Sequence, residues 1–148
     1  MQVKDIMTPE PACCTQDTKL QRVAEMMVEH DCGEIPVVGD VAGMKPVGVI
    51  TDRDIVCRTV AKGLNPLGMT VSECMTAPAV TVTPNTSLDE CCRVLEENQI
   101  RRVPVVDENG SCCGIVALAD IARHAEKREA GEVVKEVSEP TSSASAAG

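Results

Sequence analysis

Val103-Pro104-Val105-Val106-Asp107, followed after a short turn by Gly114-Ile115-Val116-Ala117-Leu118-Ala119-Asp120, decides the fold, because an earlier copy stands in the same chain. That copy is Ile35-Pro36-Val37-Val38 and then Gly48-Val49-Ile50-Thr51-Asp52-Arg53-Asp54. Each reads as a short apolar strand, a turn, a second apolar strand containing glycine, and a helix with aspartate in its first turn.

Working outward, Met7-Thr8 returns as Met75-Thr76, Thr15 as Thr83, Thr18 as Thr86 and Leu20 as Leu88, all at an offset of 68 residues. Past the next turn the offset falls to 66, pairing Gly48 with Gly114 and Asp54 with Asp120. A turn absorbs a length change of that size. The chain therefore divides into a first repeat over residues 1–62, a Gly/Pro-containing linker over 63–70, and a second repeat over 71–127. An acidic, then Ser/Ala-rich tail over 128–148 is too poor in apolar residues to order itself alone.

Within the first repeat, Ala12 to Thr15 reads as a short strand, and Thr18 with Gln21 has the spacing of a helix capping box. Leu20, Val23, Ala24, Met27 and Val28 recur at helical spacing as one apolar stripe. The helix is predicted to stop between His30 and Gly33, with glycine taking the left-handed turn and Pro36 barring continuation. Ile35 to Val38 and Val47 to Thr51 then pair as strands, and Asp52 to Ala61 returns as a helix. The second repeat starts its helix at Thr86 and Ser87, places Leu88, Cys91, Cys92 and Leu95 on the stripe, turns a hairpin at Asn109-Gly110, and ends in a helix over 118–127.

A repeat of ~60 residues buries too little surface to stand comfortably alone, so the two copies are expected to share their stability. With no Phe, Tyr or Trp, the core is left to Val, Ile, Leu, Met, Cys and Ala, and aromatic stacking is excluded from any binding mechanism. A net charge of -9 argues against a nucleic-acid or anionic membrane surface, which needs a broad basic face. No apolar run approaches the ~18 residues of a spanning helix, so a cytoplasmic protein with no membrane contact is expected.

Nine cysteines are an odd number, and no CxxC occurs. Neighbours on a strand face opposite ways, so neither Cys13-Cys14 nor Cys112-Cys113 is expected to grip one metal, and no metal site is predicted. The cysteines are expected to pack as small apolar side chains, since a thiol-based sensor needs an exposed, reactive cysteine. No nucleophile elbow, P-loop or HExxH is present, and Asp52 and Asp54 diverge at a helix start, so no catalytic residue is assigned.

With Met-Thr at its head, a hydrophobic-Pro-Val-Val strand and GxxTxxD at its end, the repeat closely resembles the cystathionine-beta-synthase (CBS) domain, and the tandem pair over residues 3 to 124 resembles the Bateman module. The resemblance implies an α/β fold of two β-α-β-β-α repeats packed about a pseudo-twofold axis, with two clefts between them. It further implies a non-catalytic, homodimeric regulatory module that requires no cofactor and takes AMP, ADP, ATP or S-adenosylmethionine as its ligand. Carried over by motif, the first cleft would use Thr51 and Asp54, with Ile35 and Pro36 against the base and Thr76, Ala79 and Val80 from the second repeat.

The second cleft would use Asp120, with Val103 and Pro104 against the base and Thr8, Pro11 and Ala12 from the first repeat. Ala117 stands there where the motif expects Thr or Ser. Arg102 stands where a nucleotide-sensing member of the family places a phosphate-binding arginine, and Arg101 precedes it; Gly33 and Glu34 match these positions in the first repeat. The first cleft is thus expected to favour a less charged adenosine ligand and the second a phosphorylated one. The alternative is an interaction module with empty clefts that docks on an enzyme or transporter.

Overall fold

The computed structural model describes residues 1–137; what was expected of residues 138–148 lies outside them. Strands and helices follow in the order β1 (Thr8–Pro9), β2 (Cys14–Thr15), α1 (Leu20–His30), β3 (Glu34–Val38), β4 (Pro46–Thr51), α2 (Asp52–Arg58), α3 (Leu88–Glu97), β5 (Arg102–Val106), β6 (Cys112–Ala117) and α4 (Leu118–Val137). They form two three-stranded sheets, β2-β3-β4 and β1-β6-β5.

β3 and β4 pair antiparallel, as do β5 and β6, and the matching bulges fall after Val37 and Val105. The second sheet contains β1, a strand from the first repeat, which pairs antiparallel with β6 through Thr8↔Ile115 and Pro9↔Gly114. Its counterpart is Thr76 on Val49, held by two backbone hydrogen bonds of 2.9 and 2.8 Å. Each repeat therefore lends its leading segment to the other.

The cores record the same exchange. Val71 and Cys74, from the second repeat, are fully buried with Leu20, Val23, Ile35, Val37 and Ile50 of the first. Val3 is fully buried with Val82, Cys91, Leu95, Val103, Val105 and Val116 of the second. Unfolding one repeat strips part of the other's core, so the two are stable as a pair.

Glycine at the head of the GxxTxxD segment, and of its Ala117-containing counterpart, is required by this crossing. A Cβ at Gly48 would collide with Met75 Cε and lie 2.5 Å from the Thr76 carbonyl oxygen, and one at Gly114 would lie 2.6 Å from Met7 Sδ and 3.2 Å from the Thr8 carbonyl oxygen.

Several local details differ from the sequence reading. The buried stripe of α1 is Leu20, Val23, Met26 and Met27, while Ala24 is exposed and Val28 is 83% exposed, so the face turned to the core is shifted around the helix toward Met26. Thr18 does not cap α1: its hydroxyl accepts from the Thr15 backbone N–H at 3.0 Å, and Lys19 becomes the N-cap without a side-chain bond. The left-handed stop is taken by Asp31 at φ 48° and not by glycine; a short polar side chain tolerates this region. α2 ends at Arg58, with a separate 3-10 turn over Val60–Lys62. α4 continues ten residues beyond the predicted 127, to Val137. Ser87 caps α3 as expected, accepting from Glu90 N at 3.1 Å.

Candidate functional site

The crossing of leading segments builds a cavity of about 190 Å³ at the seam between the repeats. Thr8, Glu10, Pro11 and Ala12 form one wall, Glu34, Ile35 and Pro36 of β3 with His30 and Cys32 form another, and Arg102 and Ile115 close it from the second repeat. The parallel register Cys14↔Val37 explains the apolar side, because continuing it backward sets Ala12 beside Ile35.

The structure thus brings together Thr8, Pro11, Ala12 and Arg102 as the sequence grouped them, and adds Ile35 and Pro36, which the sequence reading had assigned to the opposite cleft. Asp120 does not line this cavity; its carboxylate pairs with the Arg123 guanidinium one turn along α4. Val103 and Pro104 stand on the other side of the pseudo-twofold. Val82 N donates to Pro104 O at 3.1 Å and Val106 N to Val82 O at 2.9 Å, so Ala79 and Val80 lead into Val103 and Pro104. The two hydrophobic-Pro steps are exchanged between clefts because each packs against the segment that follows the exchanged one in its own repeat, β2 beside β3 and Val82 beside Val105.

Around Asp54 the side chains are already engaged. Asp54 N donates to Thr51 Oγ1 at 2.9 Å and Thr51 N to Asp54 Oδ2 at 3.1 Å, a reciprocal capping box that fixes the start of α2. Thr76 Oγ1 donates to both carboxylate oxygens of Asp54, at 3.1 and 3.2 Å. Arg58 lies 3.7 Å from Asp54 Oδ1 and donates to Met75 O at 2.9 Å. In the second repeat Ala117 offers no hydroxyl to cap α4; Leu118 N donates to Arg101 O at 2.8 Å, as Asp52 N does to Gly33 O at 2.9 Å in the first.

A second, open groove of about 910 Å³ runs beside the first cavity, lined by Gly33, Glu34, Thr51, Asp52, Arg53, Val56 and Cys57 on one side and Gln99 to Arg102 on the other. Arg102 and Glu34 line both spaces. Three arginines, Arg53, Arg101 and Arg102, face this groove with the hydroxyl of Thr51 among them, a donor set suited to an anionic group.

Glu34 was identified in the sequence only as the first-repeat match of Arg102. It is 7% exposed, and its Oε2 is buried without a hydrogen-bond partner. Burial pushes its carboxyl up to about 7; nearby Arg102 opposes the rise and Asp54 adds to it. His124, one turn after buried Ile121 on α4, has a buried Nε2 without a hydrogen-bond partner. Among the described residues no three His, Cys, Asp or Glu gather as metal ligands.

With this geometry in hand, the family is defined by the sequence as well. The CBS domain model matches residues 3–58 and 71–127, and the chain belongs to the CBS domain family as a tandem pair. Hypoxic response protein 1 of Mycobacterium tuberculosis is 39% identical over 142 residues, covering 96% of this chain and 97% of that protein. Its crystal structure with two coordinated zinc ions superposes with a TM-score of 0.74 at 40% identity, over 84% of this chain and 98% of that one.

The CBS domain pair of protein MJ0100, solved with 5'-methylthioadenosine and S-adenosyl-L-methionine, gives a TM-score of 0.76 at 28% identity, over 86% of this chain and 98% of that one. CBSX2 from Arabidopsis thaliana, solved in complex with AMP, gives 0.75 at 27% identity, over 85% of this chain and 97% of that one.

Proposed function

We propose that this chain is a non-catalytic regulatory module of the cytoplasm, which binds an adenosine nucleotide between its two repeats and signals through a homodimer. The observation that carries the reading is the seam cavity. Its apolar wall of Ala12, Ile35 and Pro36 suits a base, and the Arg102 guanidinium at its other side suits a phosphate. Adenosine ligands in two structural relatives support the class of ligand. Exposed Val56, Val60, Leu64 and Leu67, on and just after α2, support association with a second copy.

Mechanistically, a ligand held by both repeats favours the arrangement in which the exchanged segments are seated, and so shifts the population of dimer geometries. On this reading Thr8, Pro11, Ala12, Ile35, Pro36 and Arg102 contact one ligand. Thr51, Asp54, Thr76, Ala79, Val80, Val103 and Pro104 form the weaker, pseudo-symmetric site, and Asp120 serves the ribose once released from Arg123.

A second reading, an interaction module with empty clefts that docks on an enzyme or transporter, is favoured by one observation: Asp54 already accepts Thr76 and neighbours Arg58. A ribose has to displace those bonds. Thermal-shift titration with AMP, ADP, ATP and S-adenosylmethionine separates the two. A ligand at a hundredfold excess over its Kd adds about 2.7 kcal/mol, and Arg102→Ala should cancel the gain from phosphorylated ligands. If none of the four moves the transition of the wild-type protein, the interaction reading takes precedence.

A further inference from the structure

Glu34 is the only charged residue buried among the described residues. Its Oε2 has no hydrogen-bond partner, and its side chain lines both the seam cavity and the open groove beside it. The strand beneath it is fixed: Glu34 pairs with Thr51 in the β3–β4 ladder, and Asp52 N donates to Gly33 O at 2.9 Å. Backbone adjustment therefore offers the carboxyl no escape toward water.

Charged and titratable groups approach it from every neighbouring element. On the cavity side stand Glu10, after β1, His30 at the end of α1, and Cys32 just beyond. On the groove side stand Asp52, Arg53 and Cys57 of α2, with Arg101 and Arg102 at the start of β5. Asp54 of α2 is near enough to disfavour charge on Glu34, and Arg102 to favour it. Arg102 is the guanidinium common to both spaces, as Glu34 is the carboxyl. No ion pair joins the two among the described residues.

A phosphate seated on Arg102 brings a second anion to the wall that holds this buried, uncompensated carboxylate. A proton relieves the repulsion, and it turns the orphaned oxygen into a donor toward the phosphate. We propose that Glu34 is a specificity-determining residue of the seam site, admitting a phosphorylated ligand only as the neutral acid, so that each phosphomonoester bound draws one proton from solvent onto its carboxyl. The proposal rests on the nucleotide reading of the seam cavity. An uncharged nucleoside in the same cavity meets no such repulsion and binds without a proton.

Burial pushes the Glu34 carboxyl up to about 7, which agrees in direction. Above that value the protonated, binding-competent fraction shrinks, and affinity for a phosphate falls as pH rises.

The test is calorimetric titration of the full chain with AMP at pH ~8, in buffers of different ionisation enthalpy, which counts protons exchanged. The phosphate of AMP is itself ionised there, its second pKa lying near ~6. The wild type should take up close to one proton per AMP and Glu34→Gln none, whereas His30→Gln, which removes the imidazole from the same cavity, should keep the uptake. Between pH ~7.5 and ~8.5 the wild-type Kd for AMP should rise roughly eightfold while that of Glu34→Gln stays level. Adenosine should bind the wild type with no proton and no such slope. AMP binding without proton uptake, uptake that persists in Glu34→Gln, or an equal slope with adenosine overturns this proposal and leaves the nucleotide reading standing. Failure of AMP to bind both the wild type and Glu34→Gln at either pH overturns that reading and this proposal with it.

Discussion

Where the second repeat carries Arg102 at the start of its hairpin, the first carries Glu34, and the two side chains meet across the pseudo-twofold at the edge of both cavities. The backbones around them are copies; the charges are opposite. The half containing Asp54 spends its polar groups internally, on Thr51, Thr76 and Arg58, whereas the half containing Arg102 leaves a guanidinium facing a cavity. Duplication supplied two equivalent frames, and substitution at a few frame positions made one a closed structural joint and the other an anion-facing site.

The glycines of the two frames offer the sharpest way to break the comparison. Gly48 faces a backbone carbonyl at 2.5 Å, which cannot yield, while Gly114 meets chiefly the flexible Met7 side chain. Gly48→Ala should cost about 3 kcal/mol and Gly114→Ala about 1 kcal/mol, read by urea unfolding of both variants. Equal costs would mean that the two crossings are equally tight.

Glu34 gives the next effect and a defined pH window. Its native carboxyl lies at about 7 against an ordinary 4.5, so the folded state binds the proton more tightly than the unfolded state. Stability from this group is full below 4.5, falls as pH rises toward 7, and is level above. Glu34→Gln should remove that slope and stabilise the protein at pH ~8 by about 2 to 3 kcal/mol, with little change at pH ~4. Denaturation across this pH range checks it, and an unchanged slope in the variant would place the titration elsewhere.

The α2 cap and its missing twin come third. Thr51→Ala should cost about 1 kcal/mol by removing the hydroxyl that accepts from Asp54 N, and Ala117→Ser should gain about 0.5 kcal/mol by restoring that hydroxyl in the other frame. Thermal melts of the two variants sharpen how far the frames differ by one oxygen atom.

Much of this fold was legible because its signals are local and repeated. Alternation and turn chemistry placed β3, β4, β5 and β6 to within a residue or two, and the second copy confirmed each reading of the first. The exchange of leading segments was not legible in the same way. β1 is two residues long, and its partner Gly114-Ile115 lies in the other repeat, so neither periodicity nor propensity identifies the pair. That omission explains the misplacement of Ile35 and Pro36, since the cleft to which they belong depends on where the strand before them runs.

Asp31 escaped for a different reason: a left-handed stop at Asp is energetically close to one at Gly, and Gly33 two residues on looked like the better candidate.

The central claim is that the two frames have diverged, and calorimetric titration with AMP of the wild type, Arg102→Ala and Asp54→Ala tests it most directly. The account predicts one AMP per chain, binding lost in Arg102→Ala and kept in Asp54→Ala. Two equivalent sites, or binding kept in Arg102→Ala and lost in Asp54→Ala, would contradict it.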